Sequence, residues 1–369
     1  LYHLIFVVKI KIIMKVCILG NGLISLTLAK TLVNQGIYVD IFLSNNNFKY
    51  KKTQTLGISK SNVDFFIKNI LNIKNLLWDI NKIEIYSENL NNEKILDFKN
   101  QNEKLFSMIK NHKLYGLLLT SLKKNNKCNF KKISNAKNLL KKDYKLIVNT
   151  DIFSPITKKF FYKRIQKNYK SLAYTSIIRH RKLENNIASQ IFTAKGPLAF
   201  LPISNTETSI VYSYNGRDEF NFKKLVNRYN KFYKILSYQK VSSFELKLVN
   251  LRSYHYKNIL AFGDLLHKIH PLAGQGFNMS LRDINEILRL INLKKKNGLD
   301  LDNSICKDFE SSMKHKNFIF SNCVDFIYEY FNFENKIKKN ILSKTVKYLG
   351  KNYTINKYFT KIADSGLII

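Results

Sequence analysis

The residues with the clearest chemical potential lie in one stretch, 263–283, which reads GDLLHKIHPLAGQGFNMSLRD. The apolar run 258–262 precedes it and predicts a strand, and apolar residues at helical spacing after it predict a helix that begins at about residues 276–277. The first turn of a helix presents free backbone N–H groups and the positive end of the helix dipole, which attract anionic or electron-rich ligand atoms. We therefore expect a ligand-binding loop between this strand and this helix.

Three residues of this loop and one aspartate suit ligand binding. Pro271, Gly274 and Gly276 allow tight turns and a close approach of the backbone to a ligand. Asp264 follows the predicted strand directly and can accept hydrogen bonds from hydroxyl groups. Its charge suits a ribityl or ribose chain better than a bare phosphate.

A second glycine pattern lies near the start of the chain, between a predicted strand at 16–19 and an amphipathic helix that ends at Gly36. It reads G-x-G-x-x-S, and another predicted strand follows at 38–43. Gly20 permits the turn, Gly22 lets a pyrophosphate approach the backbone, and Ser25 is small enough for helix and strand to pack closely. The pattern predicts a dinucleotide-binding βαβ unit.

The stretch 263–283 resembles the second flavin-binding motif of the class A flavoprotein monooxygenases. Within that class it is most similar to the ubiquinone-biosynthesis (polyprenyl-phenol) hydroxylases, whose pattern is roughly GDAAHxIHPLAGQGxNxGLRD. Leu265 and Leu266 stand where the family has alanines, and Ser280 stands where it has glycine. The resemblance covers residues 15 to about 333 and implies a para-hydroxybenzoate hydroxylase-like fold.

The resemblance implies FAD as cofactor and assigns residues to it. Asp264 would lie near the ribityl–pyrophosphate portion, and the helix start would lie against the isoalloxazine ring. The implied cofactor-binding residues of the two loops are Gly20, Gly22, Ser25, Gly263, Asp264, Gly274, Gln275, Gly276 and Asn278. The implied catalytic residues beside the ring are Pro271, Gly276, Phe277 and Asn278.

A third family motif, an apolar strand followed by ADGxxSxxR, is only partly present, at 144–151 and beyond. Asp151 and Ser154 match it, and Asp151 is an implied cofactor-binding residue. Ile152 replaces the glycine, and Lys158 or Lys159 replaces the arginine. Because the family uses this motif on the side of the flavin and nicotinamide, these replacements put the use of a pyridine nucleotide in question.

Two positions near the second strand also depart from expectation. The acid that normally ends this strand and binds the adenosine ribose is replaced by Leu43, followed by Ser44. Ser44 or a nearby asparagine takes its place, or the affinity for the dinucleotide is weakened. Lys52 stands in for a family arginine near the flavin, and a solvated lysine is the alternative.

The implied reaction leaves the difficult chemistry to the cofactor. NAD(P)H reduces the flavin, O2 adds to give a C4a-hydroperoxide, and its distal oxygen attacks the electron-rich ring of a polyprenyl-phenol. The helix start at 276–278 would stabilise negative charge on the reduced ring. Leu198, Phe200 and Leu201, in a segment similar to the family's GPLALLPL, would form an apolar roof.

Other kinds of catalytic site find little support in the sequence. It shows no Ser/His/Asp triad and no paired carboxylates, and its four cysteines are scattered, which fits a reducing cytoplasm. His267 and His270 are spaced three apart, as metal ligands can be, but no third ligand accompanies them. We expect a structural role for both histidines and no metal.

The remaining patterns predict an α/β fold with a Rossmann-like FAD-binding domain, an inserted mixed or antiparallel β-sheet substrate domain, and a helical C-terminus. We expect a hairpin at 83–98, strands at 174–214 and 246–254, and helices at 105–122, at 220–236 and from 305 onward. The predicted domains are a discontinuous FAD-binding domain (14–75, 100–165 and 250–300), a sheet domain (76–99 and 166–249) and a C-terminal helical region (301–369).

The net charge of +36 on 369 residues raises the question of an anionic partner. The excess is nearly all lysine beside abundant asparagine and isoleucine, so we favour biased coding over nucleic-acid binding, which relies on arginine and defined motifs. The aromatic, lysine-flanked segments 318–333 and 337–348 either pack as ordinary helices or lie on the inner face of a membrane. Residues 1–13 are interpreted as an over-extended start before an initiator at Met14.

The departures at Leu43 and Ile152 motivate an alternative function, a catalytically silent flavoprotein-like subunit of a quinone-biosynthesis complex. Bound flavin and substrate-stimulated oxidation of NAD(P)H would distinguish the enzyme from such a subunit. A nucleic-acid binder would instead show salt-dependent binding of DNA or RNA and no flavin.

Overall fold

The computed structural model describes residues 14–43, 52–99, 104–132, 144–216, 219–271, 274–337 and 340–366. Residues 1–13 and Ser44, on which two expectations rest, lie outside the described residues. The strands, in chain order, are β1 (Lys15–Leu19), β2 (Tyr38–Leu43), β3 (Thr55–Ser59), β4 (Trp78–Ile80), β5 (Lys82–Ser87), β6 (Glu93–Lys99), β7 (Phe106–Lys110), β8 (Cys128–Lys132), β9 (Leu146–Asn149), β10 (Arg164–His180), β11 (Ile187–Thr193), β12 (Gly196–Pro202), β13 (Glu207–Tyr214), β14 (Ile235–Tyr238), β15 (Ser242–Leu251), β16 (His255–Tyr256), β17 (Ile259–Ala261) and β18 (His267–Lys268). The helices, in chain order, are α1 (Leu23–Asn34), α2 (Lys60–Asn69), α3 (Asn111–Lys123), α4 (Pro155–Phe160), α5 (Phe222–Tyr229), α6 (Gln275–Lys296), α7 (Ser304–Ile337), α8 (Ile341–Gly350) and α9 (Tyr353–Ser365).

A six-stranded sheet carries the first glycine pattern, in the order β16-β17-β9-β1-β2-β8. All neighbours pair in parallel except β16, which pairs antiparallel with β17 at the edge. The two expected strands and the helix of the βαβ unit are confirmed as β1, α1 and β2. β1 and β9 are buried almost throughout, which explains their continuous apolar sequence.

A nine-stranded sheet forms the second layer, in the order β18-β15-β10-β13-β12-β11-β5-β6, with β14 also pairing with β10. Its neighbours are antiparallel except β5 and β11, which are parallel. The expected hairpin at 83–98 is confirmed as β5 and β6, and it lies at one edge of this sheet. Side chains alternate between two apolar clusters, one under α7 and one under α5.

The expected helix at 105–122 is only partly correct. Phe106–Lys110 forms β7, which lies between β3 and β4 in a small antiparallel sheet, and α3 begins only at Asn111. Leu114 is buried, whereas Leu117 is 36% exposed. A short apolar run does not distinguish strand from helix, and here the pairing with β3, some fifty residues earlier in the chain, decides it.

The expected helix at 220–236 is also shorter than predicted. α5 ends at Tyr229, and the Asn230 side chain accepts hydrogen bonds from the backbone N–H groups of Phe232 and Tyr233. An asparagine that binds the backbone two and three residues ahead forms a turn and stops the helix. The chain then joins the sheet as β14.

The C-terminal region is helical, as expected, and α7 packs along the nine-stranded sheet and α6. α8 returns along β6, and α9 reaches α2 and β3. Among the described residues, none of these helices is apolar over enough length to cross a membrane.

Candidate functional site

The first part of the site lies at the carboxyl ends of β1, β9 and β17, which are neighbours in the six-stranded sheet. Gly20 follows β1 with a φ of +107°, a conformation that glycine adopts readily. A Cβ atom at Gly20 would lie 2.4 Å from the Thr150 hydroxyl oxygen, which follows β9. That hydroxyl is 2.7 Å from the Ser25 hydroxyl and donates to the Leu19 carbonyl. The backbone turn at Gly20 is therefore packed so tightly that a side chain would displace it.

The N-terminus of α1 lies at this edge of the sheet, directly after the turn at Gly20. Its N-cap is Gly22, which has no side chain to cap the helix, so a ligand can approach the first turn. Gly263 follows β17 with a φ of +64°, and a Cβ atom there would lie 3.2 Å from the Ile24 side chain of α1. Asp264 is exposed on the same turn. The structure thus brings Asp264 beside the start of α1, although the two are far apart in sequence.

Asp151 lies at the same edge, since its backbone nitrogen would be 3.4 Å from a Cβ atom at Gly20. Its carboxylate accepts a hydrogen bond of 2.9 Å from the Phe153 N–H, which shapes the turn after β9. Ile152 is 40% exposed on this turn, where the family motif has glycine. Ser154, the other matching residue, caps α4 by accepting from the Thr157 N–H.

The second part of the site is the N-terminus of α6. Its N-cap is Gly274, in the left-handed conformation with a φ of +64°, and again no side chain caps the helix. A Cβ atom at Gly274 would be 3.2 Å from the Gly57 nitrogen, so this turn presses against β3. Gly276 is exposed with open space around it, and the Pro271 carbonyl accepts from the Gly274 N–H. The N-terminus of α6 is therefore exposed at Gly276 and packed against β3 at Gly274.

Asn278 makes the bonds that fix α6 to β3, and its side chain is 1% exposed. Its amide oxygen accepts from the Ser59 N–H at 2.9 Å and from the Asn62 amide at 3.0 Å. Its amide nitrogen donates to the Gly57 carbonyl at 2.9 Å. With both ends of the amide engaged, the side chain positions the helix start.

The other expected residues of α6 lie around this helix start. Gln275 is buried, and Phe277 is half-buried against the core of the six-stranded sheet. Lys52 is exposed and lies on the turn before β3. Burial lowers the pKa of His112 at the start of α3, and the charges of Lys110, Lys113 and Lys52 lower it further.

The buried acid of the second strand is Asp40, which no sequence pattern had singled out. Burial alone would raise the pKa of Asp40, but hydrogen bonds from Lys131, Tyr144 and Lys15 outweigh it and lower the pKa to about 2. Lys131 and Lys15 lie 2.7 and 2.9 Å from the carboxylate, and the Tyr144 hydroxyl 2.6 Å. These bonds engage Asp40 inside the sheet, so it does not replace the missing ribose-binding acid at Leu43.

His267 has the structural role that the sequence predicted. It is buried on β18, and its Nε2 lies 2.5 Å from the Asp283 carboxylate. Asp283 also accepts from the Asn317 amide at 2.9 Å, so this network joins β18, α6 and α7. No pattern in the sequence could reveal Asn317 as the third member.

Two other polar groups of the motif are buried without a hydrogen-bonding partner among the described residues. They are both ring nitrogens of His270 and both terminal nitrogens of Arg282. Burial lowers the pKa of His270 to about 3 and that of Arg282 to about 10. The Arg282 guanidinium lies 4.5 Å from the centre of the Phe320 ring, a favourable cation–π contact.

The three roof residues do not share one surface. Leu198 and Phe200 lie in the cluster under α5, whereas Leu201 packs against the opposite cluster with Ile177 and Ile203. Successive residues of a strand point to opposite faces of the sheet, so the even-numbered and odd-numbered residues of β12 separate. The expected single roof is therefore incorrect.

Comparison with curated proteins finds distant relatives of the chain, although no family model matches it. The ubiquinone biosynthesis monooxygenase COQ6 of Mus musculus is 30% identical over 161 residues, which span 32% of this chain and 34% of that protein. The chain thus spans about a third of the length of this relative in the alignment. The COQ6 protein of Schizosaccharomyces pombe is 22% identical over 358 residues, or 76% of this chain and 74% of that protein.

Solved structures share the fold over nearly the whole chain. The p-nitrophenol 4-monooxygenase PnpA of Pseudomonas putida DLL-E4 has a TM-score of 0.75 at 9% identity and covers 94% of this chain and 96% of its own. HpxO of Klebsiella pneumoniae, solved with FAD and uric acid, has a TM-score of 0.74 at 11% identity and covers 95% and 97%. The expected fold class and the expected resemblance are both confirmed. The chain has the fold of these monooxygenase structures and is a distant sequence relative of the ubiquinone biosynthesis monooxygenases.

Proposed function

We propose that this chain is an FAD-dependent monooxygenase that hydroxylates the aromatic ring of a polyprenyl-phenol in ubiquinone biosynthesis, with NAD(P)H and O2 as co-substrates. One observation carries the proposal. Two helices with glycine N-caps, α1 and α6, pack against each other, and α1 begins at the carboxyl ends of parallel strands, where α/β proteins bind dinucleotides. The names of the relatives and the fold of the structural neighbours support the same function.

The residues at the carboxyl ends of these strands fit FAD. Gly20 and Gly22 would let the pyrophosphate approach the start of α1, and Gly263 keeps the neighbouring turn free of a side chain. Asp264, exposed beside that helix, would accept from the hydroxyls of the ribityl chain. Leu43 offers no such acceptor to the adenosine ribose, so the pyrophosphate contacts would carry more of the affinity.

The start of α6 would hold the ring portion. Bound FAD supplies the redox chemistry and the activation of oxygen. The backbone N–H groups at Gln275 and Gly276 would face electron-rich atoms of the ring and stabilise negative charge there. Asn278 and Gly57 would keep these groups in place, and Pro271 would shape the approach to the ring.

We infer the same division into domains that the sequence suggested. In it, residues 14–75, 100–165 and 250–300 bind the cofactor, 76–99 and 166–249 form the substrate sheet, and 301–369 form the helical region. The strand membership of the two large sheets supports this division. The strands of the six-stranded sheet all come from the cofactor-binding segments. The strands of the nine-stranded sheet come from the substrate-sheet segments, except β18 and the ends of β10 and β15.

We also propose that α7 and α8 contact a membrane that holds the prenylated substrate. Exposed apolar residues of α7 recur along one stripe at helical spacing: Ile319, Phe326, Phe333 and Ile337. Ile341 and Tyr348 of α8 are 56% and 77% exposed, and Lys336 and Lys344 are exposed nearby. An apolar stripe bordered by lysines suits the interface of an anionic membrane.

The proposed reaction is tested with 18O2. The FAD-loaded protein, NAD(P)H and a short-chain 2-prenylphenol should give a product that is heavier by one 18O atom, together with phenol-stimulated oxidation of NAD(P)H. A Gly20→Val variant, whose side chain would displace the turn at Thr150, should bind less FAD and form less product. A product whose newly added oxygen atom comes from water would contradict the proposal.

A catalytically silent subunit of a quinone-biosynthesis complex is the second candidate. Leu43 at the end of β2 and the exposed Ile152 beside Asp151 favour it, because both stand where a cofactor-binding residue is expected. No binding of FAD at micromolar concentration, or FAD binding without phenol-stimulated oxidation of NAD(P)H, would support this candidate.

A further inference from the structure

The last turn of α9 is hydrogen-bonded to the junction between β3 and α2. The Asp364 carboxylate accepts from the Ser61 N–H at 2.9 Å. The Asp364 carbonyl accepts from the hydroxyls of Ser59 and Ser61, at 2.8 and 2.9 Å. These bonds join two segments of the chain that are far apart in sequence.

Asp364 supplies the N-terminal cap that α2 lacks within its own segment. Ser59 occupies the N-cap position, but its side chain makes no capping bond, and the first turn of α2 has no acidic residue. The N–H groups of a first helical turn need acceptors, and a carboxylate there also interacts favourably with the helix dipole. The carboxylate of α9 therefore does what a residue at the start of α2 usually does.

The same junction holds Asn278, which fixes the start of α6. The Ser59 N–H donates to the Asn278 amide oxygen at 2.9 Å. The Asn62 amide donates to that oxygen and to the Ser59 hydroxyl, both at 3.0 Å. Ser59 thus contacts Asp364 through its hydroxyl and Asn278 through its backbone. A shift of this junction would move Asn278 and the helix start beside which we place the flavin ring.

A second contact joins α9 directly to α6. Gly366, at the end of α9, is buried, and a Cβ atom there would lie 3.0 Å from the Arg282 Cδ. Burial lowers the pKa of Arg282, and the charges of Asp283 and Asp364 act in the opposite direction. The end of α9 is therefore packed against both α2 and α6, the two helices that Asn278 connects.

We propose that Asp364 is a positioning residue for the flavin ring, which acts through Ser59 and Asn278 on the start of α6. This inference rests on the proposed function, because that function places the ring at this helix start. The sequence gave no sign of it, since Asp364 belongs to no motif and lies beyond the residues that the family resemblance covers.

The test measures dissociation constants for two probes, FAD by its change in fluorescence and ADP by competition against FAD. In the proposed site FAD reaches both helix starts, whereas ADP lacks the flavin and reaches only the start of α1. Asp364→Ala should weaken FAD binding about fivefold, which corresponds to a lost helix cap, and leave the constant for ADP unchanged. A general loss of folded protein would instead reduce the binding of both probes.

Two further variants grade the effect. Asp364→Asn keeps an acceptor for the Ser61 N–H, so it should retain most of the affinity for FAD. Ser61→Ala removes only the hydroxyl bond to the Asp364 carbonyl and should weaken FAD binding about twofold. Asp64→Ala is the matched control, since Asp64 is exposed on the same helix, α2, and should leave both constants unchanged.

The route through Asn278 is tested by combining substitutions. Because Asp364 acts through Asn278, Asp364→Ala should weaken FAD binding less than about twofold further when it is added to Asn278→Ala. Full additivity of the two substitutions would overturn the inference. An Asp364→Ala variant that binds FAD as tightly as the wild type would also overturn it, and so would equal weakening of FAD and ADP. Each of these results leaves the proposed function standing if the 18O experiment succeeds, whereas a wild type that binds no FAD would overturn both.

Discussion

At the scale of single residues, the glycine turn after β1 is the most restrictive feature of the site. Gly20→Ala should weaken FAD binding at least about tenfold and destabilise the fold by about 1–3 kcal/mol, because φ is +107° and the new Cβ atom would lie 2.4 Å from the Thr150 hydroxyl. FAD titration and urea unfolding would measure the two effects.

Gly116→Ala is the control for this substitution. Gly116 lies within α3 with no atom near its Cβ position, so alanine there should stabilise the protein by about 0.5–1 kcal/mol and leave FAD binding unchanged. Equal effects of the two alanines on FAD binding would refute the role given to Gly20.

Asn278 sets the position of the second helix start. Asn278→Ala should lower the free energy of unfolding by about 2–4 kcal/mol, because the buried Ser59 N–H and Gly57 carbonyl lose their partner. Asn285→Ala, on the exposed face of the same helix, should change it by less than about 0.5 kcal/mol. Urea unfolding distinguishes the two variants. A loss of unfolding free energy below about 0.5 kcal/mol in Asn278→Ala would show that Asn278 does not hold α6 to β3.

At the scale of elements, Asp40 ties β1, β2 and β8 together through its lysine partners. Its pKa of about 2 lies below the ordinary value of 3.8, so the charged form stabilises the folded state. This stabilisation, about 2 kcal/mol, is present above about pH 4 and is lost as the pH falls towards 2. Asp40→Asn should therefore be less stable than the wild type at pH 7, with a smaller difference at pH 3.

Urea unfolding at the two pH values provides the measurement. Asp64→Asn, at an exposed position on α2, is the matched control and should match the wild type at both. A loss of stability in Asp40→Asn that is the same at pH 7 and pH 3 would argue against a charge effect.

Elements also show where sequence reasoning succeeds and fails. β1, α1 and β2 follow from a local pattern of apolar period and glycine position, and the start of α6 was predicted within one residue. β7 could not be predicted, because its strand state depends on pairing with β3 and β4, which are distant in sequence. His270 shows the same limit for side chains. The aromatic rings that contact it belong to Tyr169 and Tyr328, which are distant in sequence and reach it only in the folded chain.

At the scale of the whole molecule, the stripe on α7 predicts binding to anionic vesicles. The protein should cosediment with vesicles that contain about 30% anionic lipid and be released in part by raised salt, because lysines contribute through screened charge. Phe326→Glu with Phe333→Glu should weaken this binding at least about tenfold, since the two rings, 66% and 56% exposed, would no longer insert.

Leu236→Glu supplies the comparison, because Leu236 is 66% exposed on a different element, β14. It should bind vesicles as the wild type does. If the double variant also binds as the wild type does, α7 is not the membrane-facing surface.

The most direct measurement is an FAD titration of the purified protein, followed by its visible absorption spectrum. The two helix starts with glycine N-caps predict a bound-flavin spectrum at close to one FAD per chain, and a reduced occupancy in Gly20→Ala. No binding at micromolar FAD would contradict the central claim, and it would mean that Leu43 and Ile152 mark a site that has lost its cofactor.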